Sequence, residues 1–335
     1  MSQPIDYRQP STDPSTPAGL MAYGIITLIL AGLSACTAAA TPLTLLAPAA
    51  SPTGTANDPA MIGQAIAALV IYLGAAALLA VLGIGMVRGK RWVRPYVLAL
   101  TVPALGFGVV AIIGVIWGSF VVTQADTVMP GNPTPANQQQ FMLIGMIVTI
   151  VVGVLFALGL PLLYVLYFKR ADVAETLERI DPNGFVGDHL PIPALALALW
   201  LAVYALSFLA GLANPTFPAI TAYATGLVAA GMLVVVAAAM LMAAVLVWKR
   251  MFAGWVIAAV VVLAWSGATA VTPLIADEGP METLRNNPQS AAIADAFADA
   301  PIWPLVVTGL LQLLLIIIGL LWARPHVARE AALPS

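Results

Sequence analysis

The chain has 335 residues, of which 61% are hydrophobic and 8% charged, with a mean hydropathy of +0.98; soluble domains carry roughly a quarter charged residues. That composition excludes a soluble globular fold, and a net charge of -2 removes the global basic excess expected of a nucleic-acid binder. The lone cysteine, Cys36, excludes an internal disulfide framework and any cysteine-based zinc or iron–sulfur centre.

Residues 1–18 are polar and rich in Pro, Ser and Thr, a composition that cannot bury a core, and are expected to form a disordered cytoplasmic tail. Uncharged apolar runs follow at about 19–46, 61–87, 95–123, 141–168, 192–212, 222–248, 252–276 and 302–323. Each reaches the roughly 20 residues that a helix needs to cross a bilayer. Backbone groups in hydrocarbon must pair within the segment, and the runs lack the alternation of a membrane barrel, so the fold expected is an all-α polytopic membrane protein with eight transmembrane helices.

Lysine and arginine fix the expected orientation, because cytoplasmic loops concentrate them. Twelve of the 13 basic residues fall on the side of the N-terminus, and only Arg285 on the other. One base against seven acids leaves the outer side at -6, and twelve against eight leaves the basic side at +4. An integral plasma-membrane protein of the bacterial cytoplasmic membrane is expected, with both termini cytoplasmic. Trp92, Trp248, Trp322, Tyr164, Tyr167 and Trp303 read as interfacial anchors.

The basic turn Lys90-Arg91-Trp92-Val93 joins spans two and three, and Lys249-Arg250-Met251-Phe252 joins spans six and seven. Phe168-Lys169-Arg170 and Trp322-Ala323-Arg324 close spans four and eight, and in both halves the long outer loop precedes the last span, at about 124–140 and 277–301. Two parallel four-helix repeats are therefore expected, over 19–168 and 192–323, joined by a cytoplasmic linker at 169–191 and ending in a cytoplasmic tail at 324–335. The basic, Trp-bearing turn and the Arg after the fourth span resemble those of many small bacterial four-span proteins, a likeness that implies no particular activity. Within the linker, Val173, Leu177 and Ile180 recur at helical spacing and predict a short amphipathic helix on the membrane surface; Ile293 and Phe297 give a weaker stripe outside.

Every Asp, Glu, Lys, Arg and His lies in a predicted loop or tail, which argues against a proton-coupled pump. Thr37, Thr41, Thr44, Gln64, Ser119, Ser207, Ser266, Thr269 and Gln312 are the polar residues within spans, and packing is their ordinary role. Gly114-x-x-x-Gly118 has the spacing of a close helix crossing, and Pro103 and Pro161 predict kinks. His189 and His326 lack partners at metal-ligand spacing, Asp181-Pro182-Asn183-Gly184 reads as a turn, and no phosphate loop or nucleophile elbow occurs. No catalytic, cofactor-binding or metal-ligating residue is assigned, and no cofactor is expected. Leu33-Ser34-Ala35-Cys36 matches the form of a lipoprotein processing site, but the tail before it lacks the basic start of an export signal; Cys36 reads either as that site or as a lipid-packed thiol. The function expected is that of a non-enzymatic accessory or structural component contacting the lipid bilayer and a membrane-protein partner. The alternative is a permease or channel for a neutral or lipid-like solute, with a site between the repeats lined by groups such as Gln312, Ser266 or Thr269.

Overall fold

The structure is a computed structural model that describes residues 18–46, 59–128, 136–183, 187, 190–213, 215–219, 223–275 and 303–328. In chain order the helices are α1 (Ala18–Leu46), α2 (Pro59–Val87), α3 (Val93–Val128), α4 (Ala136–Val154), α5 (Leu160–Phe168), α6 (Ala171–Ile180), α7 (Ile192–Ala210), α8 (Gly226–Trp248), α9 (Phe252–Ile275) and α10 (Trp303–Ala328). Eight passes are long and apolar enough to cross a membrane, with α4 and α5 together making the fourth. The chain is thus an all-α integral membrane protein with eight candidate spans. The N-terminal tail, the end of the C-terminal tail and the Ile293/Phe297 stripe lie outside the described residues.

Two local features depart from the uniform helices expected. Between α7 and α8 the chain forms a small antiparallel hairpin, Thr216–Pro218 with Tyr223–Thr225, whose Phe217 ring meets Trp265 of α9 at 5.2 Å. Between α4 and α5 the helix widens to a π turn at Leu155–Gly159, closed by the Leu160 N–H donating to the Leu155 carbonyl. Pro161 brings no N–H for the carbonyl four residues back, that of Ala157. Gly108 of α3 packs onto that carbonyl so closely that a methyl group there would collide with it. The expected kink at Pro161 is therefore a π turn with a neighbouring backbone fitted against it.

The basic turns share one backbone design. Arg88, Gly89 and Lys90 donate to the carbonyls of Ile84, Met86 and Gly85; 161 positions later Lys249, Arg250 and Met251 donate to those of Val245, Val247 and Leu246. This is the Schellman closure, with Gly89 (φ 63°) and Arg250 (φ 57°) in the left-handed position it requires. The sequence phrases pair Lys90 with Lys249, but the backbone pairs Lys90 with Met251. In that register the small and large residues are exchanged, Gly85 against Val93 in the first turn and Leu246 against Gly254 in the second.

Small residues let α1 and α2 pack closely in the first half. Gly24 and Gly83 face each other with no room for a methyl group on either unless the Val87 or Leu28 side chain shifts, and buried Ala31, Ala38 and Ala76 flank them. This is the close crossing that lipid-embedded helices favour. Gly114, by contrast, faces open space. Thr27 ties α1 to the fourth span: its hydroxyl donates to the Tyr23 carbonyl (2.7 Å) and lies 2.6 Å from the Tyr164 hydroxyl. The Tyr23 and Tyr167 rings stack at 4.4 Å beside it. Tyr164, expected at the interface as an anchor, is buried.

Helix α6 forms where the periodicity predicts, but it docks on protein instead of lying on the bilayer alone. Val173 and Leu177 bury themselves among Val93, Phe168 and Met86, and Ile180 covers Gly89. Its acids meet the basic turn, with Asp181 Oδ2 3.6 Å from Lys90 Nζ and Glu178 Oε1 3.8 Å from Arg91 Nη2. The Arg91 N–H also donates to Asp181 (3.4 Å). Arg170 holds the carboxyl of Asp172 below its ordinary range through a 2.7 Å ion pair at the start of the helix. A further apolar cluster, with Ala99, Leu195, Val247 and Val327, joins the ends of α3, α7, α8 and α10 on the same basic face.

Candidate ligand-binding cleft

The polar span residues do not converge. Thr37, Thr41 and Ser207 return their hydroxyls to carbonyls four residues back in their own helices, and Thr269 donates to Trp265 and Ser266. Such back-bonding satisfies the hydroxyl locally. Ser266 Oγ is buried without a partner among the described residues, and Gln312 is half-buried on α10. The side chains of Thr44, Gln64 and Ser119 lie outside the described ones. Cys36 is exposed on the continuous helix α1.

A cavity does form where α3 meets α7 and α10, with Val262 of α9 at its side. Its volume is about 260 Å³. It exists because several residues at the junction bring little or no side chain: Gly106 on α3, Ala196 on α7 and Gly319 on α10. Leu315 fills the space over Gly106, 3.2 Å from where a Cβ would sit, whereas a Cβ on Gly319 would meet nothing within 4 Å. Pro103 removes a donor from α3 at the same level. Pro193, in the first turn of α7, costs that helix no hydrogen bond.

Aromatic rings form one wall. Trp200 and Tyr204 stand one turn apart on α7, their ring centres 6.2 Å apart, and Phe107 of α3 lies against both at 5.1 and 6.0 Å. Trp322, expected as an interfacial anchor, lines the end of the cavity nearest the basic face. At 1.5 Å of rise per residue, Trp200 lies about 12 Å and Tyr204 about 18 Å from the start of α7 at Ile192. Measured against a hydrocarbon core of about 30 Å, the lining of α7 runs from the basic-face end of the span to just past its middle.

Among the described residues the lining contains no charged side chain, and its polar side-chain groups are the indole N–H of Trp200 and Trp322 and the phenol of Tyr204. The Trp200 Nε1 is buried with no hydrogen-bond partner among the described residues. A buried donor left unpaired costs about 1–3 kcal/mol. Gln312, Ser266 and Thr269 are not among the residues that line the cavity. The chain matches no family model, no curated protein and no solved structure.

The lining expected between the halves was polar, whereas the lining found is apolar apart from two indoles and a phenol. The cavity is made of glycine, alanine and proline from three helices far apart in the chain. Its one chemical signal, a tryptophan eight residues inside a span, is at a depth where an interfacial anchor has no role.

Proposed function

We propose that the protein binds a neutral, lipid-like solute between two four-span units and acts as a permease or carrier without covalent chemistry. The observation that carries this reading is the 260 Å³ cleft between α3, α7 and α10, predominantly apolar and walled by aromatic rings at membrane depth. Ligand sites are typically apolar concavities with a few placed polar groups, sited between helices or units. The accessory role expected from the sequence asks only that no polar cavity exist, so it is compatible with the cleft but gives no reason for an unpaired donor beside it.

Internal duplication belongs to the same proposal. The matched hydrogen bonds of the two basic turns support it, as do two contacts in which a side chain at the start of the third span of a unit donates to a carbonyl near the end of its last span. Arg94 Nε donates to the Phe168 carbonyl (2.9 Å) and Trp255 Nε1 to the Leu320 carbonyl (2.8 Å). The asymmetry of basic residues supports insertion in a bacterial cytoplasmic membrane with both termini inside.

Filling the cleft tests the function. Gly319→Leu adds a side chain where open space exists and should leave the fold intact. Native mass spectrometry of gently extracted wild type should find an apolar small molecule or lipid at one per chain, and the variant should lose it. A wild type that retains a stoichiometric protein partner and no small molecule would reverse the choice in favour of the accessory role.

A further inference from the structure

The chemistry of the cleft narrows the ligand, on the assumption that the solute-binding reading holds. An indole N–H is a donor only, so the unpaired Trp200 nitrogen asks for an acceptor. Tyr204, on the same face of α7 one turn away, offers a second donor. A ligand bringing donors of its own would find only the Tyr204 oxygen to receive them. A charged headgroup is excluded by the low dielectric at this depth and by a lining without a counter-ion. The Phe107, Trp200 and Tyr204 rings favour a flat partner, with which they can stack or meet edge to face. Size agrees, because an apolar cavity of about 150 Å³ already admits benzene, and 260 Å³ has room for a substituted ring and the start of a tail.

We infer that the cleft takes a neutral ring bearing carbonyl acceptors on a long apolar tail, the quinone class of membrane-soluble molecules, with a ring carbonyl held by the Trp200 indole and the Tyr204 hydroxyl.

Two probes decide it on the full chain in dodecylmaltoside micelles: a decyl-substituted 1,4-benzoquinone, and decylbenzene, which has the tail and a ring but no acceptor. The quinone is expected to bind saturably at one per chain and at least about tenfold more tightly than decylbenzene, the factor that one hydrogen bond supplies. Trp200→Phe, which keeps the ring and removes the donor, should bring the two affinities together, and Tyr204→Phe should do so in part. Equal affinities in the wild type would overturn the inference while leaving an apolar solute site standing. Saturable binding of neither probe, with an apolar molecule still lost from Gly319→Leu, would overturn the quinone assignment alone. If neither probe binds and nothing copurifies with the wild type, the solute-binding function falls with it. The comparison of probes needs no variant, so misfolding of Trp200→Phe would not leave the question open.

Discussion

At Gly254 one hydrogen stands where anything larger would strike the preceding helix, since a Cβ there would lie 2.6 Å from the backbone nitrogen of Val247. A backbone atom in the last turn of α8, held by the hydrogen bonds of the Schellman closure, cannot yield as a side chain can. Gly254→Ala should therefore push α9 off α8 and cost about 1–3 kcal/mol, the range for overpacking. Gly114→Ala should cost nothing or stabilise slightly, because its Cβ would enter open space and alanine is the better helix former. Thermal unfolding of the two variants, followed by size exclusion, separates them; a larger loss at Gly114 would refute the packing account. Within the expected spans, Gly114 and Gly118 are the one glycine pair at the spacing of a helix crossing. Spacing reports what a glycine could seat, while the helix that approaches it is set by the whole bundle, so Gly24, Gly83, Gly108 and Gly254 could not be picked out in advance.

Helix α6 was legible because a solvent-facing helix must display its periodicity, and Val173, Leu177 and Ile180 spell out one apolar face. What holds it is decided by magnitude. Glu178 is 59% exposed and its partner Arg91 34%, and surface pairs of this kind contribute about 0–1 kcal/mol. Leu177 is 1% exposed, and truncating a buried leucine costs about 2–5 kcal/mol. Leu177→Ala should release α6, read as loss of hydrogen-exchange protection over residues 171–180, and Glu178→Gln should leave that protection nearly unchanged. The reverse order would make the ion pairs the principal fastening. The π turn and the hairpin at 216–225 were not legible. Pro161 announces a missing donor but not the carbonyl-facing glycine that accommodates it, and three-residue strands flanking prolines are too short to show alternation.

The number of spans was legible at the scale of the whole molecule because bilayer thickness sets segment length before any packing is known. Orientation is the part that still needs a readout. Green fluorescent protein fused after Ser335 should fluoresce in a bacterial host and alkaline phosphatase at the same site should stay inactive, since twelve of 13 basic residues share the side of the termini. Active phosphatase would reverse the orientation. The cleft stayed hidden because it is an absence: no apolar span reveals by itself that its small residues will face those of two others. Polarity drew attention to Gln312, Ser266 and Thr269, and the assembled helices use that part of the molecule for ordinary contacts.

The tie between Thr27 and Tyr164 joins residues 137 positions apart, and this separation sets a waiting time during synthesis. At about 5–20 residues per second, the 77 residues from Val87 to Tyr164 leave the α1–α2 pair waiting roughly 4–15 s before the ribosome has made the tyrosine that anchors it. During that interval the pair has only itself to hold. The backbone-to-backbone fit of Gly24 on Gly83 is complete as soon as α2 emerges, so the first hairpin can persist as an early-assembled piece on which the later spans arrive.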